Sequence, residues 1–65
     1  VKKKDLMRHL SGLSKTNGVP FEMLRQGANH ELWVFNGHRL TIPRHTEINE
    51  LTAKGIIGDA EQTLD

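Results

Sequence analysis

"HELWVFNGHRLTIP", residues 30–43, consists of two short alternating runs on either side of Asn36-Gly37. A two-residue type I′ turn needs positive φ at both central positions, which Asn and Gly tolerate best, so this arrangement predicts a β-hairpin. A turn of that length also fixes the register. Phe35 falls opposite His38, Val34 opposite Arg39, Trp33 opposite Leu40, Leu32 opposite Thr41 and Glu31 opposite Ile42. Strand side chains alternate between faces, so Trp33, Phe35, Leu40 and Ile42 share one face and His30, Leu32, Val34, Arg39 and Thr41 share the other. The first set is the core face. His30 and Arg39 are therefore expected to point away from the core.

Upstream, residues 21–26 read as a third strand with Phe21, Met23 and Arg25 on one face, although Leu24 breaks a clean alternation. Before it, Leu6, Leu10 and Leu13 recur at helical spacing with Met7 beside them, which predicts an amphipathic helix of two to three turns. "SKTNG", residues 14–18, reads as loop, and Pro20 pushes Val19 toward an extended conformation. Downstream, Pro43 ends the hairpin because it cannot donate to a ladder. A last helix follows, capped by Thr46 or Asn49, with Ala53, Ile56, Ile57, Ala60 and Leu64 at helical spacing. Gly55 and Gly58 weaken its propensity and are expected to let it lie close on the sheet. The order is α-β-β-β-α: an α+β domain with a three-stranded antiparallel sheet and two helices packed on one face.

A chain of 65 residues has room for one domain, here residues 1–65, and buries only about 60% of its unfolded surface. With one Trp, two Phe and no Tyr its core is a thin layer, which a bound partner would stabilise. The absence of cysteine removes disulfides and cysteine-based zinc sites and fits a reducing cytoplasm. Asp5, Arg8 and His9 interrupt the N-terminal stretch where a signal peptide would be apolar, and the longest apolar run is "LWVF", so the expectation is a soluble, intracellular chain with no membrane association. Net charge is +1, but eight of the nine lysines and arginines lie at or before Arg44, and the last seven residues carry Asp59, Glu61 and Asp65 with no basic residue. Such asymmetry suits phosphate-bearing partners and equally suits an ordinary solvated surface.

Four histidines raise the question of a metal site. The register sends His30 and His38 to opposite faces, His9 belongs to a helix, and no HxxxH spacing occurs, so neither a metal nor another cofactor is expected. His30 is either a surface histidine at a strand end or a general acid–base, since imidazole is the side chain that changes protonation nearest neutral pH. No serine or cysteine is placed to form a nucleophile triad around it. A lone histidine suits a substrate that brings its own nucleophile, as RNA does with its 2′-hydroxyl. Arg25, Arg39 and Arg44 are candidates for the phosphate, because guanidinium groups stabilise developing phosphate charge, or they are solvent-facing strand residues. Gln26 and Asn29 either contact substrate or close the turn around Gly27 and Ala28, the turn being the better reading for Asn29. Lys2, Lys3 and Lys4 sit at a helix start, where positive charge is unfavourable with the dipole; a phosphate partner or a frayed terminus accounts for them. Trp33 and Phe35 share the face of Leu40 and Ile42 and read as core rather than as a base-stacking platform.

Taken together, "KKKDLMRHL", "LRQGANHELW", the hairpin and "TIPRHTEI" before a final helix resemble the HicA family of bacterial toxins, mRNA-cleaving ribonucleases of type II toxin–antitoxin systems. The resemblance covers residues 2 to about 60, and its most specific parts are Arg25-Gln26-Gly27 with His30 and the run Ile42-Pro43-Arg44-His45. It implies a fold like a double-stranded RNA-binding domain and a catalytic His30; the residues expected from their own chemistry to bind the RNA are Lys3, Lys4, Arg25, Gln26, Asn29, Arg39 and Arg44. It also implies a HicB-type antitoxin that covers the active site and contacts operator DNA on the toxin's behalf. The chain departs from the family in two places. Ala28-Asn29-His30 stands where many relatives have Gly-Ser-His, and the last helix carries one lysine, Lys54, before an acidic tail. Two other readings remain: an RNA-binding module of the same fold that does not cleave, and a degenerate toxin kept for complex formation with its antitoxin.

Overall fold

The computed structural model describes residues 1–65 and has the element order α1 (Lys3–Asn17), β1 (Phe21–Gln26), β2 (His30–Phe35), β3 (His38–Pro43) and α2 (Glu50–Gln62). The strands form one antiparallel sheet in the order β1-β2-β3. At the β2–β3 turn, Asn36 has φ 51° and Gly37 φ 80°, the positive values a type I′ turn requires. Each expected β2–β3 pair forms, and the ladder extends one pair further, to His30 opposite Pro43.

Phe35, Leu40 and Ile42 are buried beneath Leu6 and Leu10 of α1 and Ala53, Ile56 and Ala60 of α2, so both helices cover the same sheet face. Trp33 is half-buried on that face, stacked on Phe21 with ring centroids 4.7 Å apart, and Phe21 in turn lies against Phe35. These aromatics belong to the core and its border. Ile48, in the connection to α2, completes the core. No helix is long and apolar enough to cross a membrane.

Three local expectations are corrected. Helix α1 spans 15 residues, about four turns, and Ser14 to Asn17 belong to it rather than to a loop. Polar side chains at its end satisfy backbone groups locally: Asn17 donates to the Leu13 carbonyl and Ser14 Oγ to that of Val19, while Gly18, at φ 64°, closes the helix. At α2 the cap is Asn49, whose side chain accepts from the Leu51 and Thr52 amides at 2.8 and 3.4 Å, and Thr46 instead accepts from the Lys3 amide. Gly55 and Gly58 do not serve close packing, because a Cβ at either would meet nothing within 4 Å.

The third correction moves a functional candidate. Met23 pairs with Trp33 and Arg25 with Leu32, leaving Leu24 as the extra residue of a β-bulge. A bulge shifts the alternation by one, so Phe21 and Met23 stay on the helix side while Arg25 crosses to the open face. The apolar Leu24 that broke the alternation in sequence is the residue that re-aims Arg25.

Candidate active site

On the open face, Arg25, Leu32 and Thr41 lie side by side across the three strands. With Gly27 and His30 they line a depression of about 190 Å³. His30, the first residue of β2, is exposed at its rim, and the pocket supplies one imidazole, one guanidinium and one hydroxyl over a leucine floor. An anionic group seated there meets Arg25 while keeping a proton within reach of His30.

The connection that presents His30 is built from backbone and from one distant side chain. The Gly27 amide donates to the His30 carbonyl at 2.8 Å, and a Cβ on Gly27 would stand 3.0 Å from that same oxygen, a tight contact that glycine relieves. Arg44, just beyond β3, donates through Nη1 to the Gly27 carbonyl at 2.9 Å and the Ala28 carbonyl at 3.3 Å, and its amide donates to the Asn29 carbonyl at 3.1 Å. The arginine expected to hold RNA thus acts first as a clamp on the turn before His30.

A second tie lies directly behind His30. Glu31 points to the opposite face, where it is the one buried charged residue. Its carboxylate accepts from Lys3 Nζ and from Trp33 Nε1, each at 2.8 Å. The hydrogen bond from Lys3, then that from Trp33, holds its pKa below the ordinary glutamate value, outweighing the opposing effect of burial. Sequence reading overlooked Glu31, yet a signal existed: the hairpin register places it opposite Ile42 on the core face, where a carboxylate requires a partner.

The remaining candidates separate. Lys3 is committed to Glu31. Gln26 pairs with Glu31 and so belongs to the helix side, away from the pocket. Asn29 is exposed in the turn beside His30. Arg39 is on the open face but opposite Val34, four residues along β2 from His30 or roughly 13 Å of strand. Lys4 is exposed on the first turn of α1 and lines a different depression, described below. Of the three arginines, Arg25 alone shares the His30 pocket. No three His, Cys, Asp or Glu side chains converge as metal ligands would. Compared with known proteins, the chain matches no family model, no curated protein and no solved structure.

Proposed function

We propose that this chain is a metal-independent endoribonuclease of the HicA toxin type, the toxin of a type II toxin–antitoxin system that cleaves mRNA in the cytoplasm and so arrests translation. The observation that carries the reading is the bulge at Leu24, which brings Arg25 onto the open face beside His30. In the reaction, the 2′-oxygen of the substrate attacks the adjacent phosphorus, the P–O2′ bond forms and the bond to the 5′-oxygen breaks. His30 takes the 2′-hydroxyl proton or delivers one to the departing 5′-oxygen, water exchanging the other proton, and Arg25 stabilises the charge that builds on phosphate. The pocket offers the hydroxyl of Thr41 for a hydrogen bond to the substrate. A HicB-type antitoxin is the partner, shielding this open face and making the contacts with operator DNA.

Purified His30→Ala, shown folded by circular dichroism, is expected to lose about 10²- to 10⁴-fold of the mRNA cleavage rate. Wild-type products are expected to end in 2′,3′-cyclic phosphate. Undiminished cleavage by folded H30A, or products ending in a free 3′-hydroxyl, would overturn the assignment. A second reading, RNA binding without cleavage, is favoured by the basic depression outside the His30 pocket; RNA bound with no product fragments would select it.

A further inference from the structure

The largest depression on the molecule is a cleft of about 500 Å³ that shares no lining residue with the His30 pocket. Two segments form it. Lys2, Lys4 and Met7 come from the start of the chain, and Arg44, His45 and Thr46 from the connection between β3 and α2. The segments are fixed against each other by an antiparallel bridge between Lys2 and Glu47, with the Lys3 amide donating to the Thr46 carbonyl at 2.8 Å and the Ile48 amide to the Val1 carbonyl at 2.7 Å.

No acidic residue lines this cleft. Lys3, on its wall, is the one cation there with a carboxylate partner, Glu31, and that pair is turned inward. Lys2, Lys4 and Arg44 form no ion pair. Four of the chain's nine lysines and arginines line the cleft, so the remainder of the molecule, with eight acidic residues, is net negative. Glu31 offsets Lys3 and acts electrostatically on Arg44, whereas Lys2 and Lys4, held near these by backbone pairing, have no carboxylate partner and favour an added anion. Arg44 links the two depressions, since it stands in the cleft while its Nη1 holds the Gly27 carbonyl at the edge of the His30 pocket.

We infer that this cleft is a second phosphate subsite, which takes backbone phosphates of the RNA strand as it leaves the His30 pocket and passes over Arg44, with Lys2, Lys4 and His45 as its contacts. The inference rests on the reading of the protein as one that binds RNA. It gives the substrate a path and makes affinity depend on the length of strand beyond the scissile bond.

Binding of a fluorescein-labelled, mixed-sequence single-stranded RNA 12-mer to His30→Ala protein tests it without interference from cleavage. The double variant Lys2→Gln/Lys4→Gln, made in that background, is expected to bind about tenfold more weakly, at roughly threefold per exposed ion pair. Its log affinity is expected to fall less steeply with log salt, by about 0.7 for each lysine removed. His45→Gln is expected to weaken the 12-mer and leave a dinucleotide unaffected. Unchanged affinity and salt slope in the lysine variant overturn the subsite while the ribonuclease reading stands. RNA bound through the cleft by a wild-type protein that releases no fragments keeps the subsite and overturns the ribonuclease. In a further arm, inorganic phosphate is titrated against ¹⁵N-labelled protein. Amide shifts at residues 2–4 and 44–46 with phosphate, combined with no effect of the lysine variant on RNA, identify a site for free phosphate and overturn the strand path.

Discussion

The Asn36-Gly37 turn and the Gly27–Asn29 connection close opposite ends of β2, and their conformations have different origins. At Asn36-Gly37 the residue types set the conformation: both adopt positive φ and the strands pair outward from them without a slip, while the Asn36 side chain and amide add hydrogen bonds to the distant Thr63 and Pro20 carbonyls. The 27–29 connection has no positive φ and no side chain of its own that closes it. Gly27 relieves a tight approach of the His30 carbonyl, and the shape is held by Arg44, 17 residues along the chain from Gly27, and by the Lys3–Glu31 pair, 28 residues apart. A locally encoded turn sets register; a turn assembled from distant parts is where the exposed histidine and the pocket lie. Such a site depends on few interactions, and its loosening need not unfold the domain.

The largest expected effect probes that dependence. Arg44→Ala removes the clamp on Gly27 and Ala28 and is expected to lower kcat for RNA cleavage by about 10²-fold, the scale of a misplacement of about 1 Å. Thermal stability is expected to change by less than about 1 kcal/mol, because Arg44 is exposed. A variant that keeps kcat and raises only KM would show that Arg44 binds substrate without positioning His30. Gly37→Ala is the converse experiment. A β-carbon at φ 80° is strained, and the variant is expected to lose about 1–2 kcal/mol in denaturant unfolding while keeping its kcat per folded molecule.

Acid is expected to separate the two ends of β2. Because the folded-state pKa of Glu31 is depressed, its stabilising contribution is complete above the unfolded glutamate value, about 4.3, and is lost as pH falls below that through the lower folded value. Amide exchange at residues 27–31 should rise over that window, with the Asn36-Gly37 end unaffected. Lys3→Met removes the largest cause of the depression and should flatten the response. The smallest effect is expected on α2: Gly55→Ala, with open space around the added methyl, should stabilise the protein by about 0.5–1 kcal/mol without altering either turn.

Much of this molecule is legible in 65 letters. The hairpin, its register, the core set Phe35, Leu40 and Ile42, and the outward direction of His30 all follow from Asn36-Gly37 and strict alternation, both of which are local properties. The helices are legible through their apolar spacing, while the far end of α1 is not, since Ser14 to Asn17 are polar and their helical state depends on hydrogen bonds back into the chain. The placement of Arg25 is not legible in the sequence, because a bulge has no reliable local code. Leu24 interrupts the pattern without saying which way the strand resumes.

The sequence by itself determined the element order, the sheet and the face on which His30 stands, because periodicity and turn chemistry act between near neighbours. Tertiary structure alone decided that Arg25 joins His30, that Arg44 clamps the turn between them, that Lys3 is taken by Glu31, and that Lys2, Lys4 and His45 converge on one cleft. Each of these is a meeting of side chains from different elements, fixed when the helices settle on the sheet and the chain start pairs with residues 46–48. No spacing along the chain encodes such a distance.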